Sequence, residues 1–340
     1  MTHRALRLRL DTAALQANWR WLARTGGAPA GAAVKADGYG LGARAVTQRL
    51  ADAGCRDFFV SSWAEAEALG PLPAGASLSV LHGFGPADIA VPGVRPVLNT
   101  PQQVARWKER APGQPCDVMV DTGMNRLGLR TDEIHLLDGL AIDTLMSHLA
   151  SADEDSELNV VQLDRFRAVA AAVPARRTSL ANSAGICLGP DYGFDLTRPG
   201  LALYGGIPRR EAEGHIARVV LPEAEVVQRR TVRAGETIGY GATWTASADT
   251  ETAILNVGYA DGYLRCFTGK GAAMLGDTRL PLIGRVSMDL VAIDCSAEPS
   301  IHEGDFLAID YDLVAASEAT GLAQYELLTG LSPRFERLWS

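Results

Sequence analysis

Ala32-Ala33-Val34-Lys35-Ala36-Asp37-Gly38-Tyr39-Gly40 runs from a short apolar strand into a glycine-rich turn, and the amphipathic segment Gly42–Ala53 follows it. This is the start of a strand–turn–helix unit. Outward from it the same alternation continues to about residue 205. Apolar runs that read as strands lie at Ala32–Ala36, Phe58–Ser62, Ser77–Gly83, Val94–Asn99, Cys116–Asp121, Thr144–Ala150, Arg177–Ser183 and Leu196–Tyr204. Between them Gly42–Ala53, Trp63–Leu69, Pro101–Glu109 and Leu158–Ala172 read as helices, with Thr100-Pro101 offering an N-cap and a proline at the first helical position. Eight strands separated by helices fit an α/β fold of the (β/α)8, TIM-like barrel type. A doubly wound open sheet is the alternative, because periodicity does not reveal whether a sheet closes.

Past about residue 216 the pattern becomes all-β. Runs rich in valine, isoleucine and threonine recur between glycine turns at Glu225–Val232, Glu251–Val257, Met274–Ile283, Leu290–Ile293 and Phe306–Ile309, and Leu313 to Leu328 reads as helix. The expected organisation is a barrel domain over 1–216 and a mostly β C-terminal domain over 217–340.

With 340 residues, 47% hydrophobic, the chain can bury a large core, and a net charge of −8 argues against nucleic acid or an anionic membrane as partner. The expected partner is a small molecule. The start, Met1-Thr2-His3-Arg4-Ala5-Leu6-Arg7, lacks the apolar centre of a secretory signal, and no run is long enough to span a membrane, so a cytoplasmic location is expected. The five cysteines are spread singly and the six histidines are scattered, so no metal site is expected.

On a barrel, the unusual polar residues fall at the carboxyl ends of strands, where such folds keep their active sites. Lys35 ends the first strand in a poorly solvating place, which favours a neutral, nucleophilic amine and suggests a Schiff-base lysine for pyridoxal phosphate. Many strand-end lysines simply reach water, so the other residues must decide. Asp121–Gly128, with Arg126, follows the fifth strand; His148 ends the sixth; Asn182-Ser183 follows the seventh; Arg198-Pro199-Gly200-Leu201 lies at the eighth. Ser183 and the N–H groups near Gly200 and Leu201 could bind phosphate there. Taken singly, Arg126 and Arg198 also fit surface arginines, His148 a core histidine and Ser183 a helix cap. In the β region, Ile238-Gly239-Tyr240-Gly241 sets a phenol between glycines, while the turns around Tyr259 and Met288, Gly258–Gly262 and Gly284–Asp289, either line a site or are plain hairpin turns.

Together Val34–Gly40, Asp121–Gly128, His148, Asn182–Gly185, Arg198–Gly205, Gly239–Gly241, Gly258–Gly262 and Arg285–Asp289 run in order over nearly the whole chain. In that combination the chain resembles the pyridoxal-phosphate-dependent alanine racemases. The resemblance implies an eight-stranded barrel, a β domain and a homodimer in which the second chain completes each site. It implies that Lys35 carries the cofactor and is the base on one substrate face, with Tyr240 of the second chain on the other. Arg198 would face the pyridine nitrogen, and His148 would link Arg198 to Tyr240. Tyr39, Ser183, Gly200 and Leu201 would hold the phosphate. Arg126 would approach the phenolic oxygen of the cofactor and the substrate carboxylate, and Met288 would bind that carboxylate beside Tyr259. The implied activity is interconversion of L- and D-alanine, supplying D-alanine for peptidoglycan. The alternatives are a racemase of broader range, acting on serine, lysine or arginine, and a non-catalytic carrier of the cofactor. Three departures from the family pattern stand out: Met119 replaces a lysine that becomes carbamylated, Pro333 a tyrosine at the entrance, and Ser151 an alanine.

Overall fold

The computed structural model describes residues 4–340, so Met1–His3, the beginning of the stretch read as lacking a secretory signal, lie outside the described residues. The chain divides into two compact units. One is Ala13–Ala217, and the other combines the described residues up to Thr12 with Arg218–Ser340. The first strand, β1 (Leu6–Leu10), although inside the 1–216 range expected for the barrel domain, therefore belongs to the C-terminal β unit. Its alternating burial matches the antiparallel register in which Leu6 faces Ala224 and Leu10 faces Val220.

Within Ala13–Ala217, seven parallel strands follow in chain order: β2 (Ala32–Ala33), β3 (Asp57–Val60), β4 (Ser77–Val80), β5 (Val94–Leu98), β6 (Pro115–Met119), β7 (Ala141–Met146) and β8 (Arg177–Ser179). The eighth run closes the ring through few bonds. Thr197 bridges Ala30 in parallel, Gly31 N–H donates to Thr197 O, and Arg198 N–H donates to Ala181 O. The interior is filled by Phe59, Val97, Met119, Met146 and Leu196, one from each of five strand positions around the ring.

The strands stop earlier than their apolar runs suggest. The run Leu196–Tyr204 leaves the ladder after Pro199, whose carbonyl still accepts Ala33 N–H at 2.9 Å, and becomes a 3-10 turn at Leu201–Tyr204, while Ala32–Ala36 ends as a strand at Ala33. Hydrophobicity persists because these residues are still buried; the ladder ends because the chain turns across the barrel mouth. Helix ends follow local chemistry more closely: Thr100 Oγ1 accepts from Gln103 N–H at 3.2 Å and starts the helix Pro101–Arg110.

In the other unit β9 (Val220–Val232) is long enough to pair along one half with β1 and along the other with β12 (Thr250–Leu255). Between lie the short hairpin β10 (Thr237–Ile238) and β11 (Trp244–Thr245), then β12 (Thr250–Leu255), β13 (Ala272–Leu275), β14 (Thr278–Ile283), β15 (Val291–Asp294), β16 (Phe306–Ile309) and β17 (Glu336–Trp339). The order β12-β15-β14-β13-β16-β9, closed by β9 pairing with β12, makes an antiparallel barrel. The run expected as one strand over Met274–Ile283 is a hairpin that turns at Gly276, and the expected helix from Leu313 to Leu328 splits at Gly321 into Leu313–Thr320 and Gln324–Thr329. Both glycines have positive φ, which ends a strand or a helix.

Candidate active site

Because β2 to β8 are parallel, every strand exit lies at one end of the ring. Lys35 stands at the first exit, and the backbone after it is unusual: Ala36, Asp37, Gly38 and Tyr39 take φ of 51, 52, 62 and 54° in succession, a left-handed turn. Three of these are not glycine, and each such residue costs about 1–2 kcal/mol in this region. Hydrogen bonds offset that cost. Gly40 N–H donates to Ala36 O at 2.9 Å, Gly42 N–H to Asp37 O at 2.8 Å, and Ala43 N–H to Asp37 Oδ1 at 2.8 Å.

Glu65 fastens the turn from outside, accepting Ala36 N–H at 2.9 Å on one oxygen and Ser61 N–H at 2.6 Å on the other. It was not singled out in the sequence. The available signal was the spacing Ser62-x-x-Glu65, a helix-start pattern in which Ser62 Oγ does accept Glu65 N–H. The ammonium of Lys35 is disfavoured first by burial and then by the nearby Arg126 cation, with Glu65 opposing; the net effect lowers its pKa from the ordinary lysine value.

Tyr39 points into the barrel mouth side of this turn and stacks on Tyr204, with ring centroids 4.5 Å apart, while Tyr204 Oη donates to Ala33 O at 2.8 Å. Gly200 must be glycine for this: a Cβ there would stand 2.3 Å from Tyr39 Oη. Ser183, buried at the eighth-strand side, accepts from Gly200 N–H at 2.9 Å and from Ala202 N–H at 3.3 Å. Tyr39, Ser183, Gly200 and Leu201 thus converge on one corner of the mouth.

Arg198 is buried and donates to Ser179 Oγ and to Ser147 O, the latter at 2.6 Å. Burial pushes it down to about 10, with Asp117 opposing, so it stays cationic at neutral pH. His148, at the exit of β7, is held down to about 3 by withdrawal from solvent and by Arg198, Arg126 and Lys35. His148 is therefore a neutral imidazole within the field of the Arg198 cation, whose own hydrogen bonds go to Ser179 Oγ, Ser147 O and Leu180 O.

This has a measurable consequence. A histidine in the unfolded chain takes up its proton near pH 6.5, whereas His148 in the folded chain does so only near 3. The unfolded state binds more protons in that window, so stability falls as pH drops through it, by up to about 1.4 kcal/mol per pH unit for one group. His148→Gln should flatten the acid-side loss of melting temperature in the cofactor-free protein, read by calorimetry from roughly pH 4 to 6.5. An unchanged slope would mean that the ring already charges in the folded state.

Arg126 lies exposed on the loop Asp121–Gly128, whose base is set by Asp121 Oδ1 accepting Gly123 N–H at 2.8 Å and Met124 N–H at 2.9 Å. Met119 is buried in the apolar interior and offers Arg126 nothing polar.

In the β unit, Tyr240 sits on the β10–β11 hairpin with its side chain 74% exposed, beside a cavity of about 390 Å³ lined in part by Ile238, Ile283, Arg285 and Leu290. The Tyr259 and Met288 turns are zipped together, Tyr259 N–H donating to Ser287 O and Ala260 N–H to Met288 O, both at 3.0 Å. Gly258 permits this approach, since a Cβ there would lie 2.3 Å from Met288 O. Buried Asp261 accepts Gly258 N–H at 3.1 Å and pairs with Arg334 at 3.2 Å, and Arg334 reaches Asp289 at 2.8 Å, so the segment carrying exposed Pro333 is tied to both turns.

The donor set fits pyridoxal phosphate. Arg126 opposes the charge of Lys35, and Arg198, Arg126 and Lys35 all oppose that of His148, while Glu65 acts the other way on Lys35 and Asp117 on Arg198. Such a cluster, with a desolvated amine at its centre, suits an anionic carbonyl compound. Among the described residues no group of three or more His, Cys, Asp or Glu side chains is arranged to hold a metal ion, and no helix is long and apolar enough to cross a membrane.

Comparison with known proteins agrees with this geometry. The family described as alanine racemase, N-terminal domain, matches residues 10–208, and that described as alanine racemase, C-terminal domain, matches residues 219–339. The chain is 41% identical to an alanine racemase of Acidiphilium cryptum over 97% of its own length and 98% of the relative's. It is 43% identical to a catabolic alanine racemase of Agrobacterium fabrum, over 97% and 91% of the two chains. Among solved structures, the alanine racemase of Bartonella henselae with covalently bound pyridoxal phosphate superposes with a TM-score of 0.90 at 33% identity, covering 99% of this chain and 100% of that one. The biosynthetic alanine racemase of Pseudomonas aeruginosa gives 0.87 at 31%, with the same coverage. Matched through both domains and along nearly all of its length, the chain belongs to the alanine racemase family.

Proposed function

We propose that the protein is a pyridoxal-phosphate-dependent alanine racemase, in which a proton leaves one face of the substrate and is returned to the other. The observation that carries this reading is the desolvated Lys35 amine set among Arg126, Arg198 and His148 at one end of the barrel. Bound pyridoxal phosphate supplies a carbonyl for the substrate amine and an electron-withdrawing ring that acidifies the α-hydrogen.

Each residue then has a defined task. Lys35 Nζ, its pKa lowered by burial and by Arg126, gives up its charge more readily than an ordinary lysine, and it would bond the cofactor and take or return a proton on its own face. Arg198 would donate a hydrogen bond to the ring nitrogen without yielding its proton, which limits electron withdrawal and favours proton return over other outcomes. Tyr39, Ser183 and the amides of Gly200 and Leu201 would hold the phosphate; Arg126 would hold the phenolic oxygen and the substrate carboxylate.

Tyr240, Tyr259 and Met288 would come from the second subunit of a homodimer. The support is the side-chain exposure of Tyr240, the 53% exposure of Met288, and the cavity beside the hairpin, features that suit a surface completed by another chain. The five cysteines are unpaired, and burial pushes Cys55 and Cys116 up to about 12, which suits a cytoplasmic enzyme. Its D-alanine would serve peptidoglycan.

The test is to load the protein with pyridoxal phosphate and follow enantiomer formation from L-alanine, L-serine, L-lysine and L-arginine. Alanine should be turned over with the highest kcat/KM. Loss of one enantiomer without formation of its mirror image, or no turnover of alanine, would refute the proposal, and a preference for lysine or arginine would move the substrate assignment to the broader class.

A further inference from the structure

Helix Glu157–Ala172 packs outside the barrel, and most of its buried positions, such as Leu163, Phe166 and Val169, are apolar. Asn159 and Gln162 are the polar ones, and Gln162 is fully buried with its amide engaged at both ends. Nε2 donates to Thr122 Oγ1 at 3.1 Å and to His148 O at 3.0 Å, while Oε1 accepts Ala150 N–H at 2.8 Å. Thr122 Oγ1 in turn lies 2.8 Å from Ser147 Oγ, and Arg165, one helical turn along, donates to Thr122 O at 3.0 Å.

These contacts join two strand exits beyond the point where the ladder holds them. Strands β6 and β7 end at Met119 and Met146, and after Val120 N–H donates to Met146 O the two chains separate into the Arg126 loop and the His148 segment. The Met119 side chain lies in the apolar interior, and its carbonyl accepts Leu129 N–H, at 2.9 Å, just past the far end of the loop. A buried amide is costly unless its bonds are made, and a fully bonded one fixes a single arrangement.

We propose that Gln162 is a positioning residue that holds the Arg126 loop and the His148 segment in register, and so sets how tightly the site grips a carboxylate. The choice of carboxylate as ligand rests on the racemase reading; the effect on the loop does not.

The experiment compares Gln162→Leu and Thr122→Val with the unchanged protein, each also in an Arg126→Ala background. Thr122→Val removes one hydroxyl, so it carries the test if Gln162→Leu folds poorly, which thermal melting reports. Two readouts are taken: amide hydrogen exchange across residues 121–128 in the cofactor-free protein, and the affinity of the loaded protein for propionate, alanine without its amine. Exchange in the loop should rise by about tenfold or more, with the interior strands unchanged, as expected for loss of one or two buried hydrogen bonds. Propionate should weaken by about tenfold when Arg126 is present and by less than about twofold when it is not, while kcat for alanine changes less than KM. Unchanged loop exchange in a folded variant, or equal loss of propionate affinity in both backgrounds, would overturn the proposal. A protein that shows the exchange effect yet neither binds propionate nor racemises alanine would sink the racemase reading while leaving the positioning role in place.

Discussion

Lys35→Ala is expected to reduce alanine racemisation by about four orders of magnitude, because in the proposed mechanism one amine supplies both the covalent attachment and the proton transfer on one face. The loss should not be a folding defect. Lys35 stands in a site where burial and Arg126 both oppose its charge, so removing it relieves repulsion. The melting temperature of the cofactor-free variant should equal or exceed that of the parent. Absorbance spectroscopy should show no lysine-bound cofactor, and chiral analysis should show almost no D-alanine. A folded variant that keeps both the spectrum and the turnover would mean that another residue holds the cofactor.

Tyr240→Phe removes a single hydroxyl from a side chain that is 74% exposed in the described chain, so stability should hardly change. Racemisation should fall by about three orders of magnitude, since the group proposed to serve one face is gone. The Lys35 face keeps its base. In deuterated water, exchange of the α-hydrogen should therefore persist from one enantiomer and nearly vanish from the other. Equal exchange rates from L- and D-alanine, followed by proton NMR, would show that Tyr240 is not the second base.

Much of this architecture was legible in the order of apolar runs. Trp63–Leu69 has the bounds expected of it, and the helix from Thr100-Pro101 starts where a hydroxyl cap and a proline dictate. Closure of the ring was not legible, because it depends on a few bonds between residues near Ala30 and Thr197 that lie far apart in the chain. Strand ends were overextended at the mouth, since burial and ladder pairing part company there: Leu201–Tyr204 is buried without being strand. β1 was hidden for a related reason. Its alternating pattern identifies a strand, but the partner, near Ala224, is more than two hundred residues away.

The site shows the same division. Residues with unusual chemistry at strand exits, such as Lys35, His148 and Arg198, stand out from their surroundings. The parts that orient them do not. The left-handed path of Ala36, Asp37 and Tyr39 runs against their intrinsic preference and is held by Glu65, whose spacing from Ser62 marks only a helix start. Gln162 looks in the sequence like an ordinary helix residue, and only its complete burial against Thr122, His148 and Ala150 shows otherwise.

The central claim is that this chain carries pyridoxal phosphate on Lys35 and racemises alanine there. Borohydride reduction of the loaded, active protein followed by peptide mass spectrometry tests it most directly, because reduction makes the lysine–cofactor bond permanent and locates it. A phosphopyridoxyl group is expected on the peptide containing Lys35, with racemase activity lost in proportion to the labelling. A label on a different lysine that tracks the loss of activity, or full labelling of Lys35 with activity intact, would contradict it.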